Sequence, residues 1–210
     1  MFRDRHEAGE KLASVLNKYA YAGSECVVLA IPRGGVILGA VVAKKLGCPL
    51  DLVITRKVGH PDNSEYAICV VAEDGHEICN EEETGSIDRT WLEAEKKKER
   101  EEAKRRRLVY LKDRVRPSVV GKTVIVVDDG IATGMTFIAA LREARELKPG
   151  RLVAAVPVMP LEFMAWLEVE CDQVVCLNSD PEYRGSVGAY YENFPQVSDE
   201  EVIRELAPYT

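Results

Sequence analysis

Thr123-Val124-Ile125-Val126-Val127-Asp128-Asp129-Gly130-Ile131-Ala132-Thr133-Gly134-Met135-Thr136 is the stretch from which the fold can be read. Its opening residues are β-branched and apolar on both faces, the pattern of a strand buried in a parallel sheet. That strand ends in two adjacent carboxylates. Gly130 and the turn Ala132-Thr133-Gly134 come next, then a helical stretch from Met135 to Leu147. Backbone N–H groups and the helix dipole at such a turn attract an anion, and Thr133 and Thr136 add hydroxyl donors. The two acids do not suit phosphate; they suit sugar hydroxyls or a metal ion. Unpaired charge at the end of a buried strand is costly, which points to a partner. The plain alternative is a strand–turn–helix joint with solvated acids.

The same pattern occurs earlier in the chain. Cys26 to Ile31 reads as a buried strand, Pro32-Arg33-Gly34-Gly35 as a glycine turn, and Val36 to Leu46 as a helix closed by Gly47. Two glycines let backbone amides approach a ligand, and Arg33 offers a fork for phosphate. A tight turn with an exposed Arg is the competing reading. Leu50 to Thr55 reads as a third strand ending in Arg56-Lys57, whose charges point to the same crevice or to solvent. Val58 to Ser64, around His60, reads as a polar turn-rich loop. Strands alternating with helices imply a parallel α/β sheet that binds ligands at its carboxyl edge. Neither G-x-x-x-x-G-K-[ST] nor G-x-G-x-x-G is present, so nucleotide-triphosphatase and dinucleotide readings fit poorly.

The chain has 210 residues, 46% apolar and 30% charged, enough for one α/β domain over residues 1–210. A net charge of −7 does not advertise a nucleic-acid or membrane surface, and no apolar run has the length of a bilayer span. The amino-terminal residues have no apolar signal core, so a cytoplasmic location is expected. The six cysteines include no C-x-x-C pair and are expected to be reduced. With three histidines and no ligand spacing, a zinc site is not expected.

Around these elements the periodicity predicts an amphipathic helix from Asp4 to Tyr19, with Ala8, Leu12, Leu16 and Tyr19 on one face, and a loop at 21–24. Tyr66–Glu73 and His76–Asn80 read as a hairpin across Asp74-Gly75. Residues 81–116 form a charged insertion whose centre, Trp91 to Arg114, reads as a long exposed helix with Glu93–Lys97, Glu101–Arg105 and Glu102–Arg106 pairs. Lys104-Arg105-Arg106-Arg107 reads as its solvated face rather than a nucleic-acid patch. Arg151–Val158 and Gln173–Leu177 read as strands around a short helix, Leu161–Glu168. Asn178 to Gln196 reads as irregular, and Ser198 to Glu201 as a capping box opening a last helix to about Ala207.

The Val124–Thr136 stretch resembles the phosphoribosyl-diphosphate (PRPP) motif of type I phosphoribosyltransferases, with four apolar residues, two acids and a turn ending in Thr-Gly. Pro32–Gly35 falls where that family carries its pyrophosphate loop. Arg56-Lys57 is similar to the pair that precedes the mobile catalytic loop of orotate and adenine members. The P-R-G-G, R-K-x-G, A-E-D-G, D-D-G-x-A-T-G and V-G-x-x-Y blocks together resemble a bacterial and archaeal group of such proteins.

The resemblance implies a twisted, mostly parallel sheet flanked by helices, with a small hood at 178–196. It implies Mg²⁺-dependent transfer of a phosphoribosyl group from PRPP to a nitrogen acceptor, in a homodimer. Asp128 and Asp129 would hold the ribose hydroxyls and lie near a Mg²⁺ carried mainly by PRPP. Gly130 and Ala132, Thr133, Gly134, Met135 and Thr136 would wrap the 5′-phosphate. Arg33, Gly34, Gly35, Arg56 and Lys57 would bind pyrophosphate. Arg33, Lys57 and His60 are the catalytic candidates, with Val58–Ser64 as a mobile lid or, on the plain view, a surface connection. Hypoxanthine-guanine members carry an Asp where Ala132 stands, which argues against a 6-oxopurine handled in the usual way. Pro181–Gly185 is similar to the hood of those enzymes, so Tyr183 either stacks on an acceptor ring or packs on the sheet edge. A PRPP-sensing protein with little turnover is the alternative function.

Overall fold

The computed structural model describes residues 1–17, 25–112 and 114–209. Five strands form a parallel sheet in the order β2-β1-β6-β7-β8. They are β1 (Cys26–Ala30), β2 (Leu50–Leu52), β6 (Thr123–Val127), β7 (Arg151–Pro160) and β8 (Gln173–Asp180). The both-face apolar runs form its centre, and the pleat sorts their side chains. Ile125 and Val127 join the core under α1 (Arg5–Leu16), α2 (Gly34–Leu46) and α7 (Asp199–Leu206). Val124 and Val126 join the core under α5 (Met135–Glu146) and α6 (Phe163–Glu170). Burial on both faces is why these strands do not alternate polar and apolar. Gly47 closes α2 in the left-handed conformation, φ 68°, with its N–H bonded to Ala43 O, and the Ser198–Glu201 capping box opens α7. From β1 the chain runs outward to β2, and from β6 it runs the other way to β7. The sheet therefore has a topological switch between β1 and β6, where open α/β sheets leave a crevice.

The parallel sheet reaches only Leu52 in its third strand, not Thr55. Thr55–His60 is β3 of a separate antiparallel sheet, β3-β4-β5, with β4 at Asn63–Ala72 and β5 at Glu77–Cys79. The expected open loop Val58–Ser64 is therefore a β-hairpin turning at Pro61-Asp62. Val58 pairs with Cys69, Gly59 with Ala67 and His60 with Asn63. Its ladder fixes it together with the buried Val58, which packs with Ile68, Val71 and Leu92, and polar side chains beyond Val58 conceal the ladder from sequence patterning. The connection to β5 spans 73–76 rather than a two-residue turn. The expectation of reduced thiols fails at Cys69 and Cys79: they are register partners across β4 and β5, with Cα atoms 4.0 Å apart, and form a disulfide.

The charged insertion is also corrected. After the short α3 (Glu81–Thr84), the long helix α4 spans Arg89–Leu111, not Trp91–Arg114. It is not solvated all round: Leu92, Lys96, Ala103, Tyr110 and Leu111 form a buried stripe against the second sheet and α7. Glu93 pairs with Lys96 and Glu101 with Lys104, three residues on, while Glu102–Arg106 forms as expected. The ends expected at Tyr19 and Arg114, the loop at 21–24 and Asp113 bear on residues of which 18–24 and 113 lie outside the described ones. α6 starts and ends later than expected, at Phe163–Glu170; β8 starts at Gln173 as expected but runs on to Asp180, and β7 runs on to Pro160. Among the described residues no helix is long and apolar enough to cross a membrane.

Three buried acids meet two arginines where α4 joins the sheets. Arg107 donates to Glu73 at 2.6 Å, to Asp51 at 3.2 Å and to Leu52 O at 3.0 Å. Arg116 reaches Glu73 and stands 3.5 Å from Asp51 and 3.8 Å from Glu143. Glu143 is 1% exposed, and neither carboxyl oxygen has a hydrogen-bond partner among the described residues. Burial, then the charges of Glu73 and Asp74, push its carboxyl well above the usual range. The native state thus keeps a proton that the unfolded chain releases above about pH 4.5, so this group lowers stability as pH rises through that window. Glu143→Gln, with the same shape and no proton to lose, should match the wild type in melting temperature near about pH 4 and exceed it near about pH 8. A variant less stable than wild type at the higher pH would show that Glu143 is ionised in the fold.

Candidate functional site

The switch point holds a cleft of about 290 Å³, lined by the residues that follow β1 and β6. It gathers Arg33, Gly34, Lys57, the run Asp128 to Gly134, and Thr136. Gly35 and Met135 stand beside it without lining it. Gly35 packs under Asp128, and Met135 begins α5.

Asp128 is held from within the motif, and Asp129 by partners that the motif does not contain. Asp128 accepts the backbone N–H of Asp129 at 2.8 Å. Asp129 accepts Nε of Arg5 at 2.8 Å, and the Tyr191 hydroxyl donates to its carbonyl at 2.6 Å. Arg5 also donates to Pro195 O at 2.7 Å and lies 3.7 Å over the Phe194 ring. Burial, then the Asp129 charge, raise the Asp128 carboxyl well above its usual range. Burial also raises Asp129, and the charge and hydrogen bond of Arg5 oppose that rise. Sequence reasoning missed Arg5, Tyr191 and Phe194. The available signal was Arg5 itself: it occupies the register of Ala8, Leu12 and Leu16, a charge on the buried face of α1.

The Pro32-Arg33-Gly34-Gly35 loop packs against the same pair, across a cis Pro32–Arg33 peptide. A Cβ on Gly34 would lie 1.8 Å from Asp129 Oδ2, and one on Gly35 would lie 2.8 Å from Val127 O. Glycine is required here so that the start of α2 can seat against the end of β6. Arg33 is half-buried, with its guanidinium 3.6 Å from Asp199 in the first turn of α7. Tyr110 of α4 donates to that Asp199 at 2.6 Å. On the far side, Gly134 takes φ 76°, where a side chain would be strained, and a Cβ would lie 2.9 Å from the Phe163 ring. The first intrahelical N–H partner in α5 is Ile138, to Gly134 O. The N–H groups before it have no intrahelical acceptor and face an anion-sized turn.

Two of the expected basic residues stand apart. Arg56 turns to α4 and pairs with Glu99 at 2.8 Å. It shares with His60 and Lys57 a second trench of about 580 Å³ between the hairpin and α4. Lys57 and Thr136 line both spaces, so the trench is continuous with the cleft. His60 accepts the N–H of Asp62 at 3.1 Å within its own turn. Tyr183 lines a third space, stacked on Tyr190 with ring centres 5.4 Å apart. Ala132 and Thr133 border both that space and the first cleft. Three adjoining compartments thus meet at Ala132–Thr136: a cleft with paired acids and a helix start, a basic trench, and an aromatic-walled pocket.

Comparison with known proteins finds relatives in both sequence and structure. A family model described as the phosphoribosyl transferase domain matches residues 3–177. Two Mycobacterium tuberculosis proteins, one from each of two strains and each described as a "Putative phosphoribosyl transferase", are 38% identical over 208 residues. The match takes in 98% of this chain and 46% of theirs, so the chain spans about half the length of the curated relatives it matches. The crystal structure of the Thermus thermophilus protein TT1426 is 38% identical, with a TM-score of 0.80 over 99% of this chain and 98% of that one.

Proposed function

This chain belongs to the phosphoribosyl transferase domain family, and from that premise we propose that it transfers the 5-phosphoribosyl group of PRPP to a nitrogen acceptor with release of pyrophosphate. The observation that carries the reading is the cleft at the switch point, where paired acids face a glycine turn and the open start of α5. Asp128 and Asp129 take the ribose hydroxyls. The N–H groups of Ala132 to Thr136, with the Thr133 and Thr136 hydroxyls, take the 5′-phosphate, and Gly130 lets the chain turn between them. Arg33, Lys57 and the Gly34-Gly35 backbone hold the diphosphate. Arg33 exchanges its 3.6 Å partner Asp199 for a phosphate oxygen. His60 and Arg56 extend that hold into the trench, and the His60 ring nitrogen not engaged by Asp62 donates to the leaving group as charge develops there. The cations and amides act where negative charge grows, and the sugar clamp supplies orientation.

Among the described residues no group of three His, Cys, Asp or Glu side chains could hold a metal, and one Asp129 oxygen is engaged by Arg5. Such a donor set fits a Mg²⁺ brought in on the diphosphate, which the acid pair would help hold. When bound it would supply positive charge to offset that of the pyrophosphate. Residues 178–196 serve as the hood over the acceptor.

PRPP with Mg²⁺ at about a hundred times Kd should stabilise the fold by about 2.7 kcal/mol, which for a chain of this size raises the melting temperature by about 5–10 °C. A thermal-shift titration measures it, and no response at millimolar PRPP would remove the proposal. Pyrophosphate release with any of a panel of nucleobases then marks an enzyme, whereas binding without release marks a PRPP sensor.

A further inference from the structure

We infer that the acceptor is an uncharged ring presenting N–H or amino groups, and not a carboxylated ring. This inference rests on the transferase reading above. The pocket that shares Ala132 and Thr133 with the cleft has a volume of about 500 Å³, enough for a planar heterocycle. Its walls are Pro160, Leu161 and Pro181, with Tyr183 at one side. One face of Tyr183 is taken by Tyr190. The charged side chains that line the pocket are two carboxylates, Glu162 and Asp180, and the lining includes no Lys or Arg.

Asp180 is fixed in place. It accepts the Tyr190 hydroxyl at 2.7 Å and the N–H of Glu182 at 2.8 Å. Those bonds, the tyrosine's first, hold its carboxyl below the usual range, so it stays ionised. Arg184, the nearest basic residue along the chain, is turned onto the Tyr190 ring, 5.0 Å from its centre, and toward Ala189 O. The Tyr183 hydroxyl is buried without a hydrogen-bond partner among the described residues. Burial first, then Tyr190 and Asp129, push it up to about 12, so it remains a neutral donor and acceptor. Two anions in the lining favour a ring edge rich in N–H donors and repel a carboxylate at close range.

In the transfer, a ring-nitrogen lone pair forms the bond to C1′ as the bond from C1′ to the diphosphate oxygen breaks. The electron pair leaves on pyrophosphate, and any proton on the nitrogen passes to water at the pocket mouth. No side chain at Ala132 takes that proton, which again suits a ring that releases it readily.

The test compares matched acceptors that differ by one carboxylate: uracil against orotate, and nicotinamide against nicotinate. Pyrophosphate release is measured with the whole protein, PRPP and Mg²⁺. The neutral member of a reacting pair should have a kcat/KM at least about tenfold higher, and Glu162→Lys should narrow that gap several-fold. Where turnover is too slow to measure, calorimetric binding to the PRPP-loaded protein replaces it, with the same ranking expected. A carboxylated member that equals or beats its partner overturns the inference, above all if Arg184→Ala then abolishes its use. Binding of PRPP with no binding of either neutral ring also overturns it while leaving the PRPP site standing. Failure to bind PRPP at all removes the transferase reading and the inference together.

Discussion

Replacing Asp128 and Asp129 together with asparagine should abolish useful PRPP binding in a protein that still folds. Hydrogen bonds to charged groups contribute about 1.5–3 kcal/mol each, so two lost ribose contacts amount to about 3–6 kcal/mol, roughly a hundredfold to ten-thousandfold in affinity. Titration calorimetry gives the affinity, and circular dichroism gives the fold. The single variants should separate in stability. Asp128→Asn removes a buried acid whose ionisation is resisted by burial and by its neighbour, and should hold or raise the melting temperature. Asp129→Asn leaves Arg5, whose side chain is 8% exposed, with an amide instead of its counter-ion, and should lower it. A double variant that binds PRPP as the wild type does would end the ribose assignment.

Arg107→Ala should be the most destabilising single change in the charged helix. Its guanidinium is the main counter-charge for Glu73 and Asp51, whose side chains are 8% and 1% exposed, and it caps Leu52 O as well. Breaking a buried ion cluster by removing one partner typically costs about 3–5 kcal/mol, or about 6–20 °C in melting temperature for a chain of this length. Lys104→Ala, three residues away, is the internal control. Its pair with Glu101 has side chains 50% and 60% exposed, and such pairs are worth about 0–1 kcal/mol. Denaturant melts of both variants settle the contrast, and equal melts would mean the cluster contributes nothing beyond a surface pair.

These two sites also show what could be read from residue order. Val124–Val127 and Cys26–Ala30 were legible because a strand buried on both faces has no other pattern. The Asp128-Asp129 turn was legible because its chemistry is local: strand, acids and helix start within one short run. Arg5 was not placed, and Arg107, read as part of a solvated face, instead joins the buried acids, although each leaves a trace. Arg5 shares the apolar register of Ala8 and Leu12, and Arg107 that of Ala103 and Tyr110. A charge in a buried helical stripe signals an ion partner but does not name it, because the partner arrives from another part of the chain. The β3–β4 hairpin escaped for a different reason. Backbone pairing holds it, and Arg56, Lys57, Gly59 and His60 give no strand-like alternation to reveal that pairing.

The order of synthesis gives the clamp on Asp129 a temporal meaning. Arg5 precedes Asp129 by 124 positions, Tyr191 follows it by 62, and the Pro195 carbonyl that steadies Arg5 lies 190 positions after Arg5. At translation rates of about 5–20 residues per second, those 62 positions take roughly 3–12 s to add. During that interval β1 and β6 are already present, while the acid pair lacks Tyr191 and the Pro195 anchor. Contacts this distant close large loops and form late in folding. The sheet can therefore assemble before the clamp does, and Asp129 gains its full set of partners only once the segment carrying Tyr191 and Pro195 has docked, late in folding rather than early.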